Sequence, residues 1–170
     1  MTTTAKKEDV KKEEKDVVAT TTVKKERVKK NPYAAFNIDQ NLEEEGRWID
    51  YGDFRVKVAR MGGKNTAYSK AMLDVSKKYS VSSIKRMNEE KSSKLLNELY
   101  INTLIKGWEV WDYDKEEWVA GVHDYSTGEV VEPSFDNIFG VFNNFVELRS
   151  DILQKSDNKD NYIKEEVVKN

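Results

Sequence analysis

Apolar and charged residues alternate within the segment 43–64, EEEGRWIDYGDFRVKVARMGGK, which then ends in two glycines. Phe54, Val56 and Val58 occupy every second position, which is the period of a strand with one face on a core and the other in water. Residues 47–51 form a second alternating run, and the Gly-Asp pair between the two runs supplies a turn. The pattern therefore predicts an N-terminal β-hairpin.

Three later segments repeat apolar residues at three- and four-residue spacing, which predicts amphipathic helices. The first begins at Asn65 or Thr66, since either side chain can cap a helix. The second ends near Gly107, and the third opens at Ser134, directly after a proline. The three apolar stripes are, in order, Tyr68, Ala71, Met72, Val75 and Tyr79; Leu95, Leu96, Leu99, Tyr100, Ile101, Leu104 and Ile105; and Phe135, Ile138, Phe139, Phe142, Phe145, Leu148 and Ile152.

Residues 108–133, between the second and third predicted helices, are rich in Trp, Tyr and Val and contain several turn signals. This composition is typical of short strands or of an ordered loop. Together with the hairpin and the helices, it predicts a mainly helical α+β fold. The predicted order is an N-terminal β-hairpin, about three amphipathic helices, and a short β or loop insertion before the last of them.

The first 32 residues have a different composition from the rest. They contain ten basic and six acidic residues, and no aromatic residue, Leu or Ile. Such a segment buries too little apolar surface to offset its ordering entropy, so we predict a disordered, charged tail. A more specific hypothesis is a weak electrostatic arm for an acidic partner or nucleic acid. We predict a folded domain over residues 33–156 and a polar, frayed C-terminus over residues 157–170.

Charge and cysteine content narrow the functional classes. The chain has 29 basic and 31 acidic residues, and from residue 33 onward the counts are 19 and 25. An acidic body argues against nucleic-acid binding as the main role. The chain has no cysteine, which excludes disulfides and thiolate chemistry. No apolar run approaches the roughly 20 residues that span a bilayer, so we expect a cytoplasmic protein without a membrane partner.

Few residues are candidates for chemistry. His123 is the only histidine, and one histidine in a turn-rich segment supports neither a metal cluster nor a catalytic relay. Gly62 and Gly63 precede a lysine, but the phosphate-binding motifs are lacking, and a turn into a helix explains them. Residues 112–117, DYDKEE, lack the glycine and distant glutamate of a calcium loop. The acidic run 43–45 is predicted to be solvated. We expect no enzyme, no cofactor and no metal site.

The aromatic residues have two interpretations. Most are expected to form the core, yet the chain offers more large apolar side chains than a domain of this size hides. An exposed remainder would form a partner-binding surface. The polar face of the hairpin, Arg55 and Lys57 with Asp50 and Asp53 at the turn, is a further candidate partner edge. The aromatic candidates are Phe135, Phe139 and Phe142 on the third predicted helix, and Trp108, Trp111 and Trp118 in the stretch before it.

The hairpin and its glycine exit follow a recognisable pattern, W-x-D-Y-G-D-F, then A-R-x-G-G-x-N. The matching residues are Trp48, Asp50, Tyr51, Gly52, Asp53, Phe54, Ala59, Arg60, Gly62, Gly63 and Asn65. Helices follow, then a Gly-containing turn near a proline and an apolar C-terminal helix. In this order of features the chain resembles the tail assembly chaperones of long-tailed, siphovirus-like bacteriophages. The resemblance covers about residues 37–155 and is most specific over the hairpin and its exit.

The resemblance implies a role through protein contacts rather than catalysis. Chaperones of this family coat the tape-measure protein during tail assembly and recruit tail-tube subunits. They act in the host cell cytoplasm and are generally absent from the mature virion. Self-association is a further expectation. A structural tail or neck component of the virion is the alternative, and a nucleic-acid-binding module led by the lysine-rich tail is less favoured because the body is acidic.

Overall fold

The structure, a computed structural model, describes residues 32–33 and 36–164. It has a mixed α+β fold, as predicted. The α-helices of the described chain are α1 (Gln40–Glu45), α2 (Thr66–Lys78), α3 (Val81–Arg86), α4 (Glu89–Leu104), α5 (Phe135–Asn144) and α6 (Val146–Asp157). Its strands are β1 (Arg47–Asp50), β2 (Phe54–Val58), β3 (Ile105–Asp112), β4 (Glu117–Ala120), β5 (Val122–His123) and β6 (Val130–Val131).

The first four strands form one antiparallel sheet in the order β1-β2-β3-β4. The predicted hairpin is confirmed, because β1 pairs with β2 and places Ile49 opposite Val56. In the turn, the N–H of Gly52 donates to a carboxylate oxygen of Asp50 at 2.7 Å. The stretch predicted as short strands or a loop supplies β3 and β4 to the same sheet. It also supplies β5 and β6, which pair separately.

The helix predicted to end near Gly107 ends earlier. α4 stops at Leu104 and β3 begins at Ile105, with no loop between them. Pairing with β2 places Ile105 opposite Val58 and Gly107 opposite Lys57. The apolar spacing at Ile105 fits a helix as well as a strand. The pairing of β3 with β2 places this residue in the strand. The prediction was wrong here because a long-range pairing outweighs a local pattern.

The core lies on the inner face of the sheet, against the helices. As predicted, the apolar side chains of β2 point inward, while its charged residues lie on the outer face, alternating as a half-buried strand requires. The buried core cluster consists of Val56, Val58, Ile101, Leu104, Trp108, Val122, Ile138, Val141, Phe142 and Ile152. This cluster joins residues from both halves of the described chain, so the hairpin and the helices share one core.

Side-chain caps begin two helices where the sequence predicts them. Asn65 accepts a hydrogen bond from the N–H of Tyr68 at 3.2 Å, and Ser134 accepts one from the N–H of Asn137 at 3.4 Å. Each cap satisfies an N–H that has no partner inside the helix. The apolar stripe of α2 is only partly covered, because no residue of α2 is buried and Met72 is exposed.

The third predicted helix is divided in two at Phe145. This residue has φ −112° and ψ 74°, outside the helical region. Its N–H still donates to the carbonyl of Val141 at 2.8 Å, and its carbonyl accepts from the N–H of Arg149 at 3.0 Å. Phe145 therefore closes α5 and opens α6. The aromatic stripe that predicts one long helix turns a corner at this position.

The prediction of fraying from residue 157 onward is wrong as far as residue 164. After α6 comes a 3₁₀ helix, Lys159–Tyr162. Tyr162 is 1% exposed, and its hydroxyl donates to the carbonyl of Val58 at 3.1 Å. Ile163 then forms an antiparallel bridge with Ile38. The predicted disordered tail lies outside the described residues except for position 32, and residues 165–170 lie outside them as well.

Candidate partner-binding site

The glycine-rich loop after β2 is closed by a carboxylate of the protein itself. Glu43 of α1 is 3% exposed. It accepts a hydrogen bond from the N–H of Lys64 at 2.9 Å and pairs with the guanidinium of Arg60. The prediction that the run 43–45 is solvated is therefore wrong for Glu43. A backbone N–H in a glycine-rich turn does hold an anion here, but the anion is an internal side chain.

Asn65 ties the same loop to the helical layer. Its side-chain amide donates to the carbonyl of Arg60 at 2.8 Å and to the carbonyl of Thr103 at 3.2 Å. The carbonyl of Ala59 accepts from the buried hydroxyl of Ser156 at 2.7 Å. The pattern A-R-x-G-G-x-N thus forms a structural junction between the sheet, α1, α4 and α6.

The tight turn of the hairpin is fixed to α6. Tyr51 stacks on Phe54 with ring centroids 4.9 Å apart, and its hydroxyl donates to Asp151 at 2.8 Å. Burial, together with this carboxylate, raises the pKa of Tyr51. Lys155 forms an ion pair with Asp151 at 2.8 Å, and the lysine bond lowers the pKa of the Asp151 carboxyl. Asp53, in the turn, accepts from the hydroxyl of Tyr113.

The outer face of the sheet carries a stack of aromatic rings around one arginine. The Arg55 guanidinium carbon lies 4.5 Å from the Trp48 ring centroid and 4.6 Å from that of Trp118. Glu109 on β3 accepts from its Nε at 2.7 Å. Trp118 meets Trp111 edge to face at 5.2 Å. Arg55, one of the residues of the predicted partner edge, is therefore already engaged within the sheet.

The six aromatic candidates separate into three groups. Trp108 is 3% exposed and Phe142 is fully buried, so these two belong to the core and neither is an exposed surface residue. Phe139 is half-buried and stacks on Phe135 at 5.6 Å, while Phe135 is 38% exposed. Trp111 and Trp118 are half-buried on the outer face of the sheet.

An apolar groove opens where the α5–α6 corner faces β5. Its volume is about 270 Å³. Phe145, 47% exposed, stands at its edge, and the next residue, Val146, is 49% exposed. We call this feature the corner groove. Its lining consists of Phe54, Trp108, Val122, His123, Val141, Phe145 and Leu148.

The sequence predicts that Phe145 belongs to the apolar stripe, and it does not predict that this residue lies at the surface. A straight helix would keep it on the buried face, since Phe142 and Phe145 lie three residues apart. The break at Phe145 turns its side chain toward the groove. The one signal in the sequence is the Asn-Asn pair just before it, because asparagine is a poor residue for a helix interior.

The polar residues considered for chemistry serve local turns. Asp112 accepts from the N–H groups of Asp114 at 3.0 Å and Lys115 at 3.1 Å, which fixes the turn between β3 and β4. Asp124 accepts four hydrogen bonds from Ser126 and Thr127. The hydroxyl bond of Ser126 and the backbone bonds lower the pKa of Asp124 to about 2. Both carboxylates therefore already accept hydrogen bonds within their own turns.

His123 is exposed on β5. Its Nδ1 lies 3.1 Å from the carbonyl of Gly128, which fits a proton on that nitrogen. Its ring lines one side of the corner groove. Within residues 32–33 and 36–164, no group of three or more His, Cys, Asp or Glu side chains is placed to hold a metal ion. The arrangement at the groove is suited to apolar contact.

Comparisons of the chain with protein-family models, with curated proteins and with solved structures give no match. Among the helices that the structure describes, none combines the length and apolar character needed to cross a membrane.

Proposed function

We propose that this protein is a tail assembly chaperone of a long-tailed bacteriophage. In this role it binds the tape-measure protein without catalysis and helps to recruit tail-tube subunits. It acts in the host cytoplasm and leaves before the virion is complete. The observation that carries the proposal is the corner groove, an apolar recess beside the exposed Phe145 and Val146. Clustered exposed apolar side chains beside a recess are typical of a protein-binding site.

The resemblance of the hairpin segment supports the same proposal. Its matching residues are engaged in specific contacts: Arg60 with Glu43, Asn65 with Thr103, and Tyr51 with Asp151. A pattern whose members hold one junction together is expected to mark a common fold. The partner contacts themselves are then expected on surfaces outside this junction, such as the corner groove.

A small groove suits reversible coating. The tape-measure protein is a long, partly apolar helical chain that needs cover until the tail tube forms around it. A recess of about 270 Å³ contributes only modest affinity for each copy, since interface size and anchor quality limit binding energy. Many copies of the chaperone bound along one tape-measure protein cover it together, and each copy is released as a tail-tube subunit takes its place.

Co-expression with the tape-measure protein of the same genome tests the proposal. The tagged chain is expected to retain the tape-measure protein through affinity purification and gel filtration. Purified virions are expected to lack the chain. If both proteins are expressed and do not associate, the chaperone proposal fails. If the chain is present in virions at a fixed copy number, it is a structural tail or neck component instead.

A further inference from the structure

The size of the corner groove limits what it can hold. About 270 Å³ is near the lower end of the roughly 300–1,000 Å³ of typical small-molecule pockets. Its lining is almost wholly apolar, and His123 is the one ionisable side chain in it. A recess of this size and character suits one or two apolar side chains of a protein partner.

The segment that builds most of the groove is strongly acidic. Residues 122–157, from the start of β5 to the end of α6, supply five of the seven lining residues and contain seven acidic side chains but only two basic ones, Arg149 and Lys155. Arg149 bonds neutral side chains of α4 and Lys155 pairs with Asp151 at 2.8 Å, so acidic side chains remain in clear excess over basic ones. Glu147, next to the lining residue Leu148, is exposed. An apolar recess on an acidic segment favours an apolar group flanked by positive charge.

The strand beside the groove offers little edge to a partner backbone. β5 pairs with β6 through Val122 and His123. The residue before β5, Gly121, donates its N–H to the carbonyl of Trp108 at 3.1 Å. Because β5 is only two residues long, an added strand would form few main-chain hydrogen bonds with it, and we expect a partner to reach the groove with side chains. Insertion of side chains from an amphipathic helix into a recess is the recognition mode that fits.

We infer that the corner groove receives the apolar side chains of a basic amphipathic helix, in which Leu-, Ile- or Phe-type residues are flanked by Lys or Arg. On the proposed function, on which this inference rests, that helix belongs to the tape-measure protein. Phe145 covers the inserted side chain, and Glu147 faces the basic flank of the helix.

The test uses the full chain and a set of overlapping, labelled peptides that cover the tape-measure protein. Peptides that bind are expected to carry apolar residues flanked by Lys or Arg. Their affinity is expected to fall as salt rises, since the rim contacts are exposed. Binding peptides that are acidic, or whose affinity is unchanged by salt, overturn the inference.

One substitution with a matched control locates the site. Phe145→Ala is expected to weaken binding about tenfold or more, as the loss of an anchor side chain does. Phe135→Ala removes an exposed ring from the same pair of helices, away from the groove lining, and is expected to leave binding unchanged. Equal effects of the two substitutions, or no effect of Phe145→Ala, overturn the inference.

Charge reversal provides a second test that does not depend on the apolar core. Glu147→Lys is expected to weaken binding about fivefold or less at low salt, because a single exposed charge contributes little, and to reduce the salt dependence. Glu90→Lys reverses an exposed charge in the first turn of α4 and is expected to bind like the wild type. If the two variants bind the peptides equally well, the charge of Glu147 has no role in binding and the inference fails.

The intact tape-measure protein separates this inference from the proposed function. If it binds the wild-type chain and the Phe145→Ala variant equally well, the groove assignment is wrong while the chaperone role stands. If the tape-measure protein does not bind the wild-type chain, the proposed function is wrong, and the assignment of its helix to the groove is wrong as well.

Discussion

The carboxyl group of Glu43 occupies the space in which a side chain at position 63 would begin. A Cβ added to Gly63 would lie 2.7 Å from the carboxyl carbon of Glu43. The backbone at Gly63 also has φ +58°, a conformation that side chains disfavour. Two independent constraints, one of space and one of backbone, therefore require glycine here.

Gly63→Ala is expected to lower the free energy of unfolding by about 2–4 kcal/mol, because it adds left-handed strain and displaces the Glu43 carboxylate. Urea unfolding followed by fluorescence measures the loss. Gly128→Ala is the control, since Gly128 also has a positive φ but has open space around it. The control is expected to lose only the backbone contribution, about 1 kcal/mol. Equal losses would show that Glu43 does not constrain position 63.

Glu43→Gln tests the charge of the same contact. The amide keeps an acceptor for the N–H of Lys64 but leaves Arg60 without its counter-ion. Breaking a buried pair costs about 3–5 kcal/mol, and we expect about 2 kcal/mol because the Arg60 side chain is 21% exposed. Glu45→Gln, on the exposed end of α1, is expected to change stability by less than about 0.5 kcal/mol. Unfolding curves of the two variants that coincide would refute the role of the charge.

Tyr162→Ala tests whether the chain after α6 belongs to the fold. The ring is buried and its hydroxyl bonds the carbonyl of Val58, so truncation is expected to cost about 3 kcal/mol or more. Tyr113→Ala removes an exposed ring and is expected to cost much less. Thermal unfolding measures both. A small loss for Tyr162→Ala would restore the sequence-based prediction of a frayed end.

Arg55→Lys tests the stack on the outer face of the sheet. Lysine retains the charge but cannot stack its planar group between Trp48 and Trp118 while it bonds Glu109. We expect a loss of about 1 kcal/mol and a change in tryptophan emission. Lys57→Arg, on the same face of β2, is the matched control and is expected to leave both unchanged. If Arg55→Lys unfolds at the wild-type urea concentration, the stack contributes nothing to stability.

The turn held by Asp124 is expected to make stability depend on pH. The hydrogen bonds of Asp124 lower its pKa in the folded state to about 2, below the ordinary 3.8. A lowered carboxyl pKa stabilises the fold fully above the ordinary value, and this stabilisation is lost as pH falls from about 4 to 2. Asp124→Ala is therefore expected to be less stable than the wild type at pH 7 and to approach it near pH 2. Asp114→Ala, at an exposed position, is expected to show no such convergence.

The elements that the sequence predicts correctly are those determined by neighbouring residues. The alternation of Phe54, Val56 and Val58 predicts the hairpin, and Asn65 and Ser134 predict two helix starts. In each case the physical cause lies within a few residues: the period of a strand, or a side chain that bonds a nearby N–H. Such causes are visible in the sequence without knowledge of the fold.

The elements that the sequence does not predict are determined by distant residues. Glu43 is buried because Arg60 and Lys64 surround it, although its neighbours suggest a solvated run. Ile105 joins a strand because β2 pairs with it, and Tyr162 is buried because the sheet offers it the carbonyl of Val58. These contacts join residues far apart in sequence, so the local spacing of apolar residues does not predict them.

The sequence predicts only part of the candidate site. For the aromatic residues of the third predicted helix the sequence leaves two interpretations open, core and surface, and the break at Phe145 determines which residues belong to which. Phe142 belongs to the core and Phe145 borders the corner groove, although both follow the same three-residue spacing. The spacing describes a straight helix, and the surface arises where the helix is not straight.

The direct passage from α4 into β3 makes the length of the chain at this joint critical. One residue more or fewer between Leu104 and Ile105 would rotate the preceding helix by about 100° relative to the strand. A shift of the strand by one residue would instead move Trp108 from the core to the outer face, because successive side chains alternate. Either adjustment disrupts the core. Insertions and deletions are therefore excluded at a position that has no glycine, no proline and no turn to mark it.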